Sequence, residues 1–153
     1  NLGVAPAPTH SPNDDCAGQA MFSLPNAESA RRFAALVPGV VVGQTGRHNY
    51  TEWDQVLMGA GAGHPAMNPY NMPANAACRR SYSKDMCARS LEILDRTVMV
   101  AMHPDHAEQE TLDIIHNIDA AARVVLGGVA LESVDLRATQ GVDAQKFDLK
   151  VDA

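Results

Sequence analysis

The chain is poor in aromatic residues and in cysteine. Aromatic residues make up 5% of it, so we expect a core built from aliphatic and methionine side chains. Its cysteines are Cys16, Cys78 and Cys87, an odd number without a C-x-x-C pair. That pattern argues against a disulfide framework or a zinc cluster and favours a reducing cytoplasm. Because no histidine base lies nearby in the sequence, we expect Cys78 and Cys87 to be small buried residues rather than nucleophiles.

Positive charge and long apolar runs are also scarce. The net charge is −6 and the isoelectric point about 5.4, whereas a nucleic-acid interface requires a basic stripe. No window is long and apolar enough for a membrane span, and no charged start leads into a signal core. We therefore predict a cytoplasmic protein that binds neither nucleic acid nor membrane. The 153 residues are one domain in size, and a start at Asn1 rather than Met suits a piece of a longer protein.

Hydrophobic periodicity predicts a small α/β domain. Apolar residues recur at three- and four-residue steps in the predicted helices. Asn26 is expected to cap the first helix, Asp105 with Glu108 to cap the last, and Gly127-Gly128 to end it. The fold class is α/β (α+β), a small mixed or antiparallel sheet with helices on one face. The predicted elements are strands at 19–24, 40–43 and 96–102, helices at 27–37, 51–58, 84–93 and 107–126, and a β-hairpin at 133–151.

Three parts are expected along the chain. Prolines and the run Asn13-Asp14-Asp15 make 1–17 a flexible arm or the stump of a linker. Residues 18–128 form the domain, whose weakly periodic stretch 44–90 is of the kind that serves a function or a partner. Residues 129–153 form a C-terminal extension that contains the predicted hairpin.

The densest set of functional groups lies at 46–54, which reads GRHNYTEWD. His48 is suited to donate a proton or a hydrogen bond, Tyr50 can anchor an oxygen, and Trp53 can line a cleft. The alternative is structural: Thr51 caps a short helix and Trp53 fills the core. The residues alone favour neither interpretation.

Two further motifs resemble ligand sites but have simpler explanations. HPDH at 103–106 fits a strand-to-helix corner, because a zinc site needs three or four convergent ligands and His116 lies too far along the helix to join one. GAGAG at 59–63 has no preceding strand and no following Lys-Ser/Thr pair, so it is expected to be a flexible loop rather than a phosphate cradle. We predict no metal site.

Several segments, taken in order, resemble one enzyme family. They are similar to the C-terminal small domain of the DegT/DnrJ/EryC1/StrS aminotransferases, fold-type I enzymes that use pyridoxal phosphate to aminate keto-sugars. The resemblance covers about 20–126. It rests on FSLPNAESARRFAALVPGVVVG, RHNYTEWDQVL, GHPAMNPY and YSKDMCARSLEILDRTVMVAMHPDHAEQETLDIIHNIDAAA. Ala107 stands where the family often has a capping threonine, and the family lacks the extension after the last helix.

The resemblance implies a part of an enzyme rather than a whole catalyst. In this family the cofactor bonds to a lysine of a large N-terminal domain, where an aspartate pairs with its pyridine nitrogen. The three lysines here, Lys84, Lys146 and Lys150, do not match that lysine. We therefore expect no bound cofactor and no catalysis by this chain alone. The residues that the resemblance places on the side of a keto-sugar or nucleotide-sugar are His48, Tyr50, Trp53, His64 and Arg89, the last for an anionic group.

Two other functions stay open. One is a stand-alone binding or interaction module that keeps the small-domain fold without the chemistry and seals its exposed surface by forming a homo-oligomer. The other is an unrelated small enzyme that uses His48. The residues do not identify the sugar, and they do not distinguish amination from dehydration.

Overall fold

The computed structural model describes residues 4–9, 11, 13–14, 18–46 and 49–138. Four strands form an antiparallel sheet. The strands are β1 (Ala5–Pro6), β2 (Gln19–Ser23), β3 (Gly39–Val41) and β4 (Thr97–Ala101), in the spatial order β1-β2-β4-β3. The helices are α1 (Ala27–Leu36), α2 (Asp54–Leu57), α3 (Ala88–Asp95) and α4 (Glu108–Gly127). The predicted α/β class, with an antiparallel sheet, is confirmed at this level.

The core lies between the sheet and the helices α1 and α4. Val98 and Val100 of the central strand β4 are fully buried, and they share one apolar cluster with Phe33 of α1 and Ile114 of α4. Side chains two apart on a strand point to the same face, so both helices pack on that face. Met99 lies between the two valines in sequence, points to the other face and is partly exposed.

The first helix follows the sequence prediction closely. The side-chain oxygen of Asn26 accepts a hydrogen bond from the backbone N–H of Ser29 at 2.9 Å, which satisfies one of the free donors of the first turn. Ala30, Phe33 and Val37, which share the predicted apolar face, are all buried. Local signals were sufficient here.

The described part of the predicted arm is not wholly irregular. Ala5 and Pro6 pair with Ser23 and Phe22 of β2, and the backbone N–H of Ala7 donates to the carbonyl of Met21 at 2.8 Å. The arm therefore covers one edge of the sheet. The division of the chain at 17 and 128 stays a prediction.

The start of α4 differs from the prediction, and its end agrees. The helix begins after Ala107, which makes no side-chain capping bond. Asp105 does not cap it, because a capping side chain must come from the residue directly before the first turn, and Asp105 instead approaches the His103 ring at 3.5 Å. Gly128 ends the helix with a φ of 69°, a left-handed conformation that favours glycine.

The apolar stripe predicted for α4 consists of Leu112, Ile115, Ile118, Ala122 and Val125, and its second half is correct. Ala122 is buried, and Ile118 and Val125 pack against the core, whereas Leu112 and Ile115 are 49% and 54% exposed. Ile114 and Asn117 are buried in their place. Both faces repeat at the same three- and four-residue steps, so the period alone did not determine which one meets the sheet.

The predicted hairpin at 133–151 is wrong in its first strand, and its second strand lies outside the described residues. Residues 131–133 form a 3-10 turn, and 134–138, called the strap below, run without strand pairing along α4. The amide of Asn117 donates to the carbonyl of Arg137 at 2.9 Å and accepts from its N–H at 2.8 Å. His116 Nε2 lies 2.7 Å from the carbonyl of Asp135. Helix side chains thus occupy backbone groups that a partner strand would have used.

Candidate functional site

Residues 49–87, called the middle segment, bury almost nothing apolar. All of them are described, and the buried ones are two polar residues, Asn49 and Asn68. A contiguous exposed apolar surface marks a site of interaction, which makes this segment the candidate. The exposed apolar set of this segment consists of Trp53, Val56, Met58, Met67, Met72, Tyr82 and Met86.

Asn68 organises the centre of the middle segment. Its side-chain oxygen accepts from the backbone N–H groups of Gly61 and Tyr70 at 3.2 and 3.0 Å, and its amide donates to the carbonyl of Gly59 at 2.8 Å. A side chain at Gly61 would meet the Pro69 ring at 2.8 Å, so the close approach requires glycine at this position. The loop is therefore held by directed polar contacts, not by an apolar core.

His64 belongs to the same system of turns. Its Nδ1 accepts from the backbone N–H of Ala66 at 3.2 Å, at the start of the 3-10 turn Pro65–Met67. A neutral imidazole that accepts at Nδ1 carries its proton on Nε2. The exposed His64 ring can therefore donate a hydrogen bond to a ligand oxygen through Nε2–H.

Tyr50 connects the start of the middle segment to its end. Its hydroxyl donates to the carbonyl of Lys84 at 2.7 Å and accepts from the backbone N–H of Cys87 at 3.2 Å. A hydroxyl has one donor and two acceptor sites, so its donor is already used. Tyr50 thus positions the loop beside the start of α3, two residues from Arg89.

The structural alternative for GRHNYTEWD is wrong in both of its parts. Trp53 is 47% exposed and does not fill the core. The cap of the short 3-10 turn Tyr50–Glu52 is Asn49, whose side-chain oxygen accepts from the N–H of Thr51 at 3.3 Å. His48 lies outside the described residues, so its role stays a prediction.

An open groove of about 570 Å³ runs between α3 and the start of α1. Pro25 and Leu91 contribute apolar surface, and charged side chains of both signs, including Lys84, Asp85 and Arg96, surround it. A hydrogen bond from the Ser83 hydroxyl is the main cause that lowers the pKa of Asp85 below its ordinary value. The Tyr50 contacts thus join the 46–54 motif to this groove.

The predicted site residues are only partly brought together. Tyr50 and Arg89 lie in one neighbourhood through the Lys84 and Cys87 contacts. The hydrogen bond that His64 makes lies within its own turn, and Arg89 lines a hollow along α3 that adjoins the groove and shares lining residues with it. Sequence reasoning missed Asn68, although the density of asparagine between prolines was a signal for side-chain-held turns.

The described cysteines and the histidine corner are not grouped as ligands of a metal ion. Cys78 and Cys87 are free and exposed, so the expectation that they are buried is wrong, because the segment around them has no apolar interior. The rings of His103 and His106 lie 6.0 Å apart, and His106 Nε2 is 3.8 Å from Glu110. Across the part of the chain that the structure describes, no three His, Cys, Asp or Glu residues are grouped so as to hold a metal ion.

The described helices include none that is long and apolar enough to cross a membrane. No protein-family model, no curated protein and no solved structure matches the chain.

Proposed function

We propose that the chain is the small domain of a pyridoxal-phosphate-dependent keto-sugar aminotransferase, which closes over the substrate and does not catalyse alone. The observation that carries this proposal is the middle segment, which buries two asparagines and exposes its apolar side chains. Such a surface suits one wall of a cleft whose opposite wall belongs to another domain. The ordered segments that resemble the family, together with the antiparallel sheet, support the same proposal.

In this proposal the residues of the chain bind and orient the substrate. Trp53 offers an exposed aromatic face on which a sugar ring can pack. His64 donates from Nε2–H to a hydroxyl or phosphate oxygen, and Tyr50 holds the loop that carries Trp53. The proposal assigns Arg89 to an anionic group of the substrate and His48 to a proton or hydrogen-bond donor.

Pyridoxal phosphate would supply the electron sink of the reaction, held by the large domain. The described lysine, Lys84, has its carbonyl bonded to Tyr50 and its side chain beside the groove. In this proposal the large domain holds the cofactor, and only substrate contacts are assigned to this chain.

A stand-alone interaction module is the second candidate, and the same exposed apolar set favours it. The first test is the sequence encoded upstream of Asn1. A lysine-bearing domain in the same reading frame supports the aminotransferase proposal. A frame without one contradicts it and leaves the interaction module.

The second test uses the enzyme that contains both domains. Trp53→Ala is expected to raise the KM for the keto-sugar about tenfold, which corresponds to about 1.4 kcal/mol of lost binding, whereas Trp53→Phe keeps most of the affinity. Arg31→Ala on the exposed side of α1 is the matched control and should leave KM unchanged. An unaltered KM in Trp53→Ala would exclude the proposed contact between Trp53 and the substrate.

A further inference from the structure

Helix α3 and the turns that flank it carry an ordered pattern of charge beside the open groove. None of the eight residues of the helix is buried. Arg89 and Glu92 lie one turn apart on the helix; Asp85 lies in the turn before it and Arg96 is the residue that follows its last turn, so the four charges come at steps of four, three and four in the sequence. Their signs alternate: minus, plus, minus, plus. We call these four residues, with Ala88 and Ile93, the α3 face.

No ion pair between described residues neutralises these charges. Arg89 and Glu92 are one turn apart, yet among the described residues neither takes part in an ion pair, whereas Asp119 and Arg123 on α4 do. Arg96 donates to the carbonyl of Leu24 at 3.3 Å, which leaves its charge uncompensated by a carboxylate. The α3 face therefore presents both signs to its surroundings.

We propose that the α3 face packs against the α3 face of a second copy of the chain across a two-fold axis. When two copies of the pattern minus, plus, minus, plus lie antiparallel, every charge faces a charge of the opposite sign. Antiparallel apposition therefore places Arg89 opposite Glu92 of the second copy, and Asp85 opposite Arg96 of the second copy. Each contact occurs twice, as a two-fold interface requires.

The shape of the face agrees with this pairing. Ala88, Arg89, Glu92, Ile93 and Arg96 line a hollow of about 520 Å³. In the same antiparallel register Ile93, which is 42% exposed, lies over Ala88 of the second copy. A branched aliphatic side chain above a small residue allows the two helices to approach closely.

Charge balance selects a second copy over other occupants. An acidic ligand would be repelled by Asp85 and Glu92, and a basic one by Arg89 and Arg96. A second copy satisfies all four groups at once. Since α3 is about 12 Å long at 1.5 Å per residue, the contact is small, and we expect a weak dimer with a Kd on the order of 10–100 µM. In this dimer Arg89 pairs with Glu92 of the second copy, so the inference is an alternative to the assignment of Arg89 to an anionic substrate group and is independent of the other parts of the proposed function.

The test is sedimentation of the full chain from about 10 µM to 1 mM, with circular dichroism to establish that every variant is folded. The parent mass is expected to rise towards the dimer with concentration and to fall again at high salt. R89E and E92R each create two like-charge contacts across the axis. Each is expected to weaken self-association about tenfold or more. Arg31→Glu makes the same charge change on α1 and should have no effect.

Mixing is the sharper part of the test. In an equimolar mixture of R89E and E92R, positions 89 and 92 are acidic in one chain and basic in the other, so a mixed dimer should form at parent affinity or better. The double reversal R89E/E92R should also self-associate again. A parent that stays monomeric at 1 mM refutes the proposal. So does weakening by both single variants without recovery in the mixture or the double reversal.

Discussion

Removing the side chain of Asn117 is expected to release the strap from α4. Asn117 is 3% exposed, and its amide pairs with both the carbonyl and the N–H of Arg137, at 2.9 and 2.8 Å. Two bonds to the backbone N–H and C=O of one residue reproduce what a neighbouring β-strand would offer. Asn117→Ala abolishes both bonds while it leaves the strap sequence intact.

The magnitude follows from these two bonds. Each intramolecular hydrogen bond contributes about 0.5–1.5 kcal/mol net, so the two together contribute about 1–3 kcal/mol. Alanine is the better helix former by up to about 0.7 kcal/mol, which offsets part of the loss. We expect the free energy of unfolding to fall by about 1–2 kcal/mol. For a chain of this size that lowers Tm by about 2–8 °C.

Urea denaturation followed by circular dichroism measures the loss of stability. Trypsin cleavage after Arg137 measures release of the strap and should become faster in Asn117→Ala. Asp119→Ala, which removes an exposed side chain from the same helix, is the control and should change neither by much.

A shortened chain that ends before the strap completes a double-mutant cycle. In that background Asn117→Ala should cost little or nothing, because Arg137 is absent. If Asn117→Ala destabilises the shortened chain as much as the full one, its cost arises within the helix and the reasoning is refuted.

Three further outcomes are expected. Tyr50→Phe removes both contacts of the hydroxyl. It should speed hydrogen exchange at the Cys87 amide and lower the free energy of unfolding by about 1 kcal/mol. Unchanged exchange would contradict the hydrogen bond from Cys87 to Tyr50. The hydrogen bond from Arg137, then that from Gln109, lowers the pKa of Asp113 below 3.8. The contribution of Asp113 to stability is therefore present above about pH 4 and disappears as the pH falls through the lowered pKa. Urea denaturation between pH 2.5 and 7 measures the free energy of unfolding, and Asp113→Asn should abolish this part of its dependence on pH. Gly43→Ala places a methyl group against Asp95 Oδ1 and 3.1 Å from its backbone nitrogen, so unfolding should become easier by about 1–3 kcal/mol; an unchanged urea midpoint would show that Asp95 moves aside.

Features of the fold that rest on local signals were predictable from the sequence. The Asn26 cap, the left-handed Gly128 and the strand at Thr97–Ala101 depend on residues a few positions apart. Helix α4 has two neighbouring apolar sides, and contacts with Val98 and Val100 of the sheet determine which side is buried. Residues close to the helix in the sequence do not contain that information. The strap failed as a strand for a similar reason, since its partner is a side chain about twenty residues earlier.

The sequence indicated which segment carries the candidate site, but not the contacts that hold this segment. The composition of the middle segment predicted its irregular structure, which is confirmed, and a function for it, which stays a prediction. Tyr50 was expected to anchor a ligand oxygen, yet its hydroxyl holds backbone groups of Lys84 and Cys87, more than thirty residues away. The sequence does not distinguish Asn68 from the other asparagines of the segment, so its role in holding the turns was not predicted. Burial of one asparagine out of several depends on contacts that spacing does not reveal.

Polar attachment explains how the middle segment can remain open. Hydrophobic burial has no preferred direction, so a loop held by apolar contacts would turn Trp53 and Met67 inward. The bonds of Asn68 and Tyr50 are directional, and they fix the loop backbone while its apolar side chains stay in solvent. A surface prepared in this way keeps its geometry before a ligand or domain arrives, which lowers the entropy cost of binding. The exposed apolar set is therefore a consequence of which residues hold the loop, not a defect in its packing.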